Sequence, residues 1–448
     1  MALTRPVPRA GRPPTTRIPP GPADEPAGAA QYAARLEALL GDPRDPGNPY
    51  GRSALRAAGH DGLPAPPAGL PGAGEVQPAA DQLARALRPL FRRDLALAHA
   101  WSIRPLLSAP MPHPAAALLG PAALLASASG VLRGATRIVD GLSRYERGAR
   151  QWRPVLASVF ADLLACESLT AVALRSCPDR DPGAAGPATD GQGPPRQPGD
   201  SLAAVVGYLV PQLVGELLGD LELVLNECGF GDDTPERRSL AKILGDRAFA
   251  RADWTAASAA QACIVRGLNA ADGSLPDDGT ELAALFRVTE APSARAPGTA
   301  CPQAVAATLA GATDRLAGSD DADTAELARV GRRLVIEQRA LRVACAATAV
   351  HDPADPAARA LADRQALLVL AATALGVREA AAGARLPFLG GAGWALLVLG
   401  RITRRLGLPL PLPLPDRTPD PQPGVWDELA RRAANGVDCD LYATRLLW

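Results

Sequence analysis

The chain has 448 residues, of which 47% are hydrophobic but only 4% aromatic, so Ala and Leu supply most of the core and favour close-packed helices over sheets. Its 47 basic and 47 acidic residues cancel to a formal net charge of zero, and no stripe of arginines interleaved with aromatics is present, which argues against a nucleic-acid partner. The seven cysteines are dispersed without a C-x-x-C pair and predict reduced thiols in a cytoplasmic protein.

Targeting and membrane segments are not expected. Residues 1–30 predict a disordered leader, because they are rich in Arg and Pro and lack the apolar segment of a signal peptide. The apolar runs at residues 115–132 and 388–399 are interrupted by Gly, Pro or Ser, and the second is too short to cross a bilayer. We interpret both as buried helices and expect a cytoplasmic chain with no membrane span.

Helical spacing of apolar residues begins at Gln31. A turn-rich break at residues 42–51 and a short helix near residues 53–58 follow, and residues 81–99 predict one long helix. Only a short stretch containing prolines separates Trp101 from the next helix. No part of the chain alternates apolar and polar residues over several strands, so no sheet is predicted.

Two long amphipathic helices are predicted within residues 132–174, joined by a basic corner that reads YERGARQW. Two such helices connected by a short corner form a packed antiparallel pair, the start of a helical bundle.

This corner resembles a run in the acyl-CoA dehydrogenases, flavoproteins that desaturate acyl thioesters. Tyr145, Arg150, Gln151 and Trp152 carry the match, with Trp152 where the family has Phe. The resemblance implies that Arg150, Gln151 and Trp152 bind FAD, often from a neighbouring subunit. From the residues alone, the alternative is a cluster of arginines at a helix end on the surface of a bundle.

The resemblance extends along the chain in order. LEALLGDPRDPGNPY and DQLARALRPLFRRDLALAHAWS are similar to the N-terminal helical domain of a bacterial subgroup, and AAVVGYLVPQLV, in the helix predicted over residues 201–226, resembles another family helix. The β-domain that the family places after the N-terminal helices is missing. The predicted fold is therefore all-α: an acyl-CoA dehydrogenase-like helical bundle with an additional C-terminal helical block and no substantial sheet.

Composition and resemblance together divide the chain after the leader. The predicted units are an N-terminal helical region at 31–110, the bundle at 115–270 with a loop insert at 177–200, a linker at 271–325, and an additional helical domain at 326–448.

Desaturation of a thioester requires a carboxylate to take a proton and a flavin to take a hydride. Following the resemblance, Asp233 is the nearest candidate for the base, provided that a short deletion follows Gly231. The alternative, which the residue pattern favours, is that Asp232 and Asp233 stabilise the start of the next helix.

The sequence ADWTAASAAQ resembles a second flavin loop of the family, which leads into a helix whose N-terminus meets the cofactor's phosphates. Asp253 and Thr255 match, and the resemblance implies that they contact FAD. Trp254 replaces the glycine that lets backbone approach a phosphate closely. The alternative is a plain helix start capped by Asp253 or Thr255. No metal-binding motif, P-loop or nucleophile elbow is present, and no metal site is predicted.

The resemblance implies FAD-dependent α,β-desaturation of an acyl thioester on CoA or a carrier protein, by a homodimer or a heterodimer with a longer acyl-CoA dehydrogenase. The competing hypothesis is a non-catalytic subunit or scaffold that keeps the bundle as a dimerisation surface for a full-length relative, so whether the chain is an enzyme stays open. The missing β-domain, Trp254 and the short side chain of Asp233 predict weak or absent FAD binding by the isolated chain and no desaturation.

Overall fold

A computed structural model describes residues 27–59, 62–66, 79–108, 115–143, 145–177, 202–228, 234–250, 252–268, 279–290, 301–347, 352–408 and 420–448. Within these ranges the chain is helical and has no strand, apart from one isolated antiparallel bridge between Val437 and Arg445. The prediction of an all-α fold is confirmed. Every described residue from 100 to 108 and from 116 to 130 is helical, so the described part of this region contains no β-domain.

The α-helices of the described residues are numbered in chain order: α1 (Ala27–Leu40), α2 (Arg52–Ala58), α3 (Ala80–Arg93), α4 (Leu95–Ala98), α5 (Arg104–Ser108), α6 (Ala116–Leu142), α7 (Arg153–Arg175), α8 (Leu202–Cys228), α9 (Pro235–Asp246), α10 (Trp254–Gly267), α11 (Gly279–Phe286), α12 (Pro302–Leu316), α13 (Ala322–Ala347), α14 (Pro356–Gly383), α15 (Gly393–Arg405) and α16 (Gln422–Ala434). A π-helical turn, His99–Ile103, joins α4 to α5. Single 3₁₀ turns, Arg147–Trp152 and Arg247–Ala250, precede α7 and follow α9.

Helix α7 lies at the centre of the bundle. Nearly every side chain from Leu156 to Arg175 is buried, and α7 packs against α6, α8, α14, α15 and α16. A helix that is apolar on all sides must be enclosed by other helices. The central pair predicted around the basic corner is present as α6 and α7, which pack on each other.

The remaining helices cover this centre from two directions. Helix α3 packs on α6, and α1 packs on α3. Helix α9 packs on α6 and α8. On the other side, α12, α13, α14 and α15 pack among themselves, and α10 lies between α8 and α14. The predicted N-terminal and C-terminal helical regions therefore share one core through α6 and α7.

The long helix predicted over residues 81–99 is broken at Asp94. This residue has extended backbone, with φ of −169°, and its side chain accepts a hydrogen bond from the Leu97 backbone N–H at 2.9 Å. Asp94 therefore ends α3 and caps the start of α4, which is the usual role of Asp at a helix N-terminus.

Two other boundaries differ from the prediction. The leader predicted to residue 30 meets the start of α1 at Ala27. The apolar run at 388–399, predicted as a buried helix, begins with a turn after α14, where Arg385 adopts a left-handed φ of 57°, and becomes helical only from Gly393. A left-handed residue cannot continue a right-handed helix.

Two helices, α11 and α12, lie within the region 271–325, which the sequence predicts as mostly linker with a short helix near residues 304–309. Helix α12 buries Val305, Leu309 and Leu316 and packs against α13 and α14. These apolar residues have helical spacing, but the Ala, Gly and Pro around them gave the segment the composition of a linker. The domain boundaries stay predictions.

The expectations of no membrane span and of a cytoplasmic chain are wrong. The described residues contain four helices long and apolar enough to cross a membrane: α6, the run Gly148–Arg175 that includes α7, α8 and α14. Their most apolar windows are packed inside the bundle to between 61% for α8 and 89% for Gly148–Arg175. The interrupted apolar run at 115–132 belongs to the continuous helix α6, since the Gly and Ser residues within it do not end the helix.

The close approach of Arg247–Ala250 to α6 depends on Gly120. A Cβ at this position would lie 2.5 Å from the Ala250 carbonyl oxygen, which is backbone and cannot rotate away. We expect Gly120→Ala to lower the free energy of unfolding by about 1–3 kcal/mol, because overpacking outweighs the better helix propensity of Ala. Thermal or chemical unfolding measures this change.

Gly219 provides the matched control, since it lies within α8 and a Cβ there meets no atom within 4 Å. Gly219→Ala is expected to leave stability unchanged or raise it by about 0.5–1 kcal/mol. Equal effects of the two substitutions would contradict the tight packing at Gly120.

Candidate anion-binding site

The residues predicted to contact flavin at the basic corner lie at the surface. Arg150 and Gln151 are exposed and Trp152 is half-buried in the 3₁₀ turn before α7. The Arg150 guanidinium donates a hydrogen bond to the Ser143 carbonyl oxygen at 3.1 Å, so it secures the corner between α6 and α7. This arrangement matches the alternative of an arginine cluster at a helix end.

The second predicted flavin loop forms the start of α10. Asp253 accepts a hydrogen bond from the Ala256 backbone N–H at 2.9 Å and so caps its own helix, in agreement with the alternative of a plain helix start. Asp253 and Thr255 are exposed, and Trp254 between them is 82% exposed. The predicted base, Asp233, lies outside the described residues.

The two segments with predicted flavin contacts pack against different helices. The 3₁₀ turn packs against α6 and α7, whereas α10 packs against α8 and α14. None of the five predicted flavin contacts lines either of two cavities among the described residues, whose volumes are about 210 and 50 Å³. Asp253 is already used as a helix cap, so these side chains do not fit the flavin and support no chemical step through it.

The larger cavity is a cleft between the N-terminal helices and the central bundle. It is bounded by the turn before α2, by α2 itself, by the end of α3 and by facing parts of α6 and α9. Its lining residues are Pro43, Arg44, Arg52, Ser53, Arg56, Arg92, Arg93, Asp94, Leu95, Ser127, Gly130, Val131, Pro235, Arg238, Ser239, Lys242, Ile243 and Asp246. We call this cavity the basic cleft.

The basic cleft has a surplus of positive charge. Seven lining residues are cationic and two are carboxylates, so the lining carries a formal charge of 7 − 2 = +5. The whole chain is neutral, so this surplus is local. Like charges held close together in a partly dry cleft raise the electrostatic potential and attract anions.

Two of the cations are neutralised by neighbouring carboxylates. The Lys242 ammonium lies 2.9 Å from an Asp94 carboxylate oxygen and 2.5 Å from one of Asp246. Arg92 binds carboxylates outside the lining, with one guanidinium nitrogen 2.7 Å from Glu37 and the other 2.8 Å from Asp438. Both carboxylates of the cleft are therefore bound to Lys242, and neither balances the arginines of α2.

Four arginines of the cleft bind no carboxylate in the part of the chain that the structure describes. Arg93 donates only to backbone carbonyls, that of Tyr50 at 3.0 Å and that of Gly41 at 2.5 Å. Arg44, Arg52 and Arg56, on α2 and the turn before it, form no hydrogen bond or ion pair through their side chains with any described residue.

The pKa values of Arg52 and Arg93 are both lowered, in agreement with the surplus of positive charge in the cleft. The pKa of Arg93 is lowered to about 10, mainly by burial and also by the neighbouring charges of Arg52 and Arg92, while Glu37 and Asp42 oppose the shift. Burial also lowers the pKa of Arg52; Glu236 opposes this shift and Arg44 adds to it. Both side chains stay charged at neutral pH, so an anion would relieve their mutual repulsion.

Local structure explains how distant residues reach this cleft. Asn48 closes the turn before α2 by donating to the carbonyls of Leu40 and Asp42 at 2.7 and 2.8 Å. Gly51 completes that turn, since a Cβ there would lie 2.7 Å from a backbone oxygen. Helix α9 begins at Pro235, so its positive dipole end also borders the cleft.

Sequence reasoning missed this site. The cationic residues of the cleft are spread from position 44 to position 242 and come from three helices and a turn. No single stretch is basic enough to predict an anion site. The nearest signals are the Arg92–Arg93 pair and Lys242, which is the only lysine of the chain.

No protein-family model, no curated protein and no solved structure matches the chain. The resemblance to acyl-CoA dehydrogenases therefore stays a prediction, and the arrangement of the described residues is the basis for assigning a function.

The surface positions of the predicted flavin contacts lead to a test by absorbance. We expect the purified full chain to contain no stoichiometric FAD, because the predicted flavin contacts lie on separate helices. Visible absorbance between about 370 and 450 nm, quantified against the protein after denaturation, measures the bound flavin.

A stoichiometric yellow complex would contradict this expectation. In that case, Arg150→Gln and Asp253→Asn show whether the predicted residues hold the flavin, and Arg339→Gln, an exposed position on α13, serves as the control.

Proposed function

We propose that this protein binds a small phosphate-bearing anion in the basic cleft. The observation that carries the proposal is the group of four arginines, Arg44, Arg52, Arg56 and Arg93, that line one cavity without a carboxylate partner among the described residues. Holding such charges together costs free energy, because partly buried like charges repel each other. A bound anion would supply the missing counter-charge.

Phosphate fits this chemistry better than a single carboxylate does. A phosphate group presents several acceptor oxygens, and guanidinium groups bind such oxygens through paired N–H donors. The four arginines without a carboxylate partner among the described residues favour a ligand with more than one negative charge, such as a diphosphate. The abundance of Arg over Lys carries no weight, since the whole chain has this bias.

Several small molecules carry a phosphate or diphosphate group of this kind. Free phosphate and diphosphate carry it, and so do the diphosphate groups of CoA and of FAD. An acyl thioester of CoA would agree with the resemblance in the sequence, but no contact among the described residues favours desaturation. Binding in the cleft is therefore proposed without a reaction.

The arginines of α2 provide the direct test. Wild-type protein is titrated calorimetrically with inorganic phosphate, inorganic diphosphate, CoA and FAD in separate experiments. We expect diphosphate to bind more tightly than phosphate, and Arg52→Gln combined with Arg56→Gln to weaken diphosphate binding about tenfold or more, because each charged hydrogen bond contributes about 1.5–3 kcal/mol. Higher salt should weaken binding by the wild type.

A double variant at Arg339 and Arg342 is the matched control, because both arginines lie exposed on α13 and do not line the cleft. It removes the same two charges and should bind diphosphate like the wild type. Equal losses in the two double variants, or no binding of any probe by the wild type, would refute the proposed function. Tighter binding of CoA than of diphosphate identifies CoA as the source, and the same preference for FAD identifies the flavin nucleotide.

A further inference from the structure

Arg92 belongs both to the basic cleft and to a buried network behind it. Its side chain is 11% exposed and lines the cleft. One terminal nitrogen donates to Asp438 at 2.8 Å and the other to Glu37 at 2.7 Å. A guanidinium has five N–H donors, so these two bonds set its orientation and leave donors for an anion.

Asp438 is the more firmly held of these two partners. The carboxylate oxygen that accepts from Arg92 also accepts from Arg88 at 2.9 Å. The other oxygen accepts from the Ser129 hydroxyl and the Cys439 backbone N–H, both at 2.8 Å. Asp438 is 1% exposed and so joins α3, α6 and the segment after α16 at one point.

The segment at 437–448 is fixed by further contacts. The Leu441 backbone N–H donates to Glu167 at 3.0 Å, and Arg432 donates to the Asp440 carbonyl at 2.5 Å. The Trp448 indole N–H donates to the Glu37 carbonyl at 3.3 Å. These contacts hold the segment around Asp438 in place. A residue that orients another side chain needs such a fixed position.

We propose that Asp438 is a positioning residue for the anion site, which acts by holding the Arg92 guanidinium in the basic cleft. This inference rests on the proposed function. Asp438 does not line the cleft and has no access to the ligand. Glu37 has the same role at the other nitrogen of Arg92.

The direction in which anion affinity changes when Asp438 is replaced distinguishes a positioning role from a purely electrostatic one. Replacing an acidic residue near an anion site makes the local potential more positive and, by charge alone, should tighten anion binding. If Asp438 positions Arg92, its replacement should weaken binding in spite of the added positive charge. Burial would raise the pKa of Asp438, but Arg88 and Arg92 hold it well below its ordinary value, so the carboxylate is charged at neutral pH.

The test uses the full chain and inorganic diphosphate as the probe. We expect Asp438→Asn to weaken diphosphate binding about tenfold, the equivalent of one charged hydrogen bond to the ligand. Asp427→Asn is the matched control, because Asp427 is exposed on α16 and the substitution makes the same change in net charge. This control should bind like the wild type or slightly tighter.

A double-mutant cycle shows whether the effect passes through Arg92. In an Arg92→Gln background, Asp438→Asn should have no further effect on diphosphate affinity, since the group it positions is absent. A structural role for Asp438 alone would instead give the same loss in both backgrounds. Circular dichroism and unfolding of each variant check that the compared proteins are folded.

Glu37→Ala keeps the inference testable if Asp438→Asn does not fold. It removes the second carboxylate held by Arg92 and leaves the backbone carbonyl that accepts from Trp448. Weaker diphosphate binding by this folded variant supports positioning, and unchanged or tighter binding by either folded variant overturns it. Failure of the wild type to bind diphosphate refutes the proposed function, and the inference about Asp438 falls with it.

Discussion

The buried ion network around Arg88 is the constraint on which the arrangement of helices depends. Arg88 on α3 binds Glu167 of α7 at 2.7 Å and Asp438, in the segment after α16, at 2.9 Å. Each carboxylate also accepts a backbone N–H, so the charges are paired and hydrogen-bonded. Removing one member of such a network costs about 3–5 kcal/mol, because the remaining charge is left buried without a partner.

This network also explains why the neighbouring cleft is positive. Arg88 and Arg92 are one turn apart on α3 and share the buried carboxylate of Asp438. Arg93, the next residue, donates only to backbone carbonyls. The acidic residues that balance α3 are therefore buried behind it, and none of them neutralises the arginines of α2 across the cleft.

The sequence predicts the helices better than it predicts the site. Apolar spacing located α1, α6, α7 and α8, because a buried helix face needs hydrophobic residues every three to four positions regardless of its partners. The break at Asp94 was missed, since the apolar pattern continues across it while the capping side chain interrupts the backbone. The basic cleft was missed for a different reason: its charges meet only after α2, α3 and α9 have packed together, and no local pattern records that packing.

The four membrane-compatible helices follow from the same physics as the buried centre. A helix enclosed on all sides by other helices and a helix enclosed by lipid both need apolar residues around their full circumference, so composition and length do not distinguish the two environments. Their ionisable side chains obey one rule in both settings, which is that a charge removed from water needs a partner. In α7, Glu167 binds Arg88 and Asp162 binds Arg401 at 2.7 Å, each from a different helix. These two ion pairs join α7 to α3 and to α15, and the last turn of α3 borders the basic cleft.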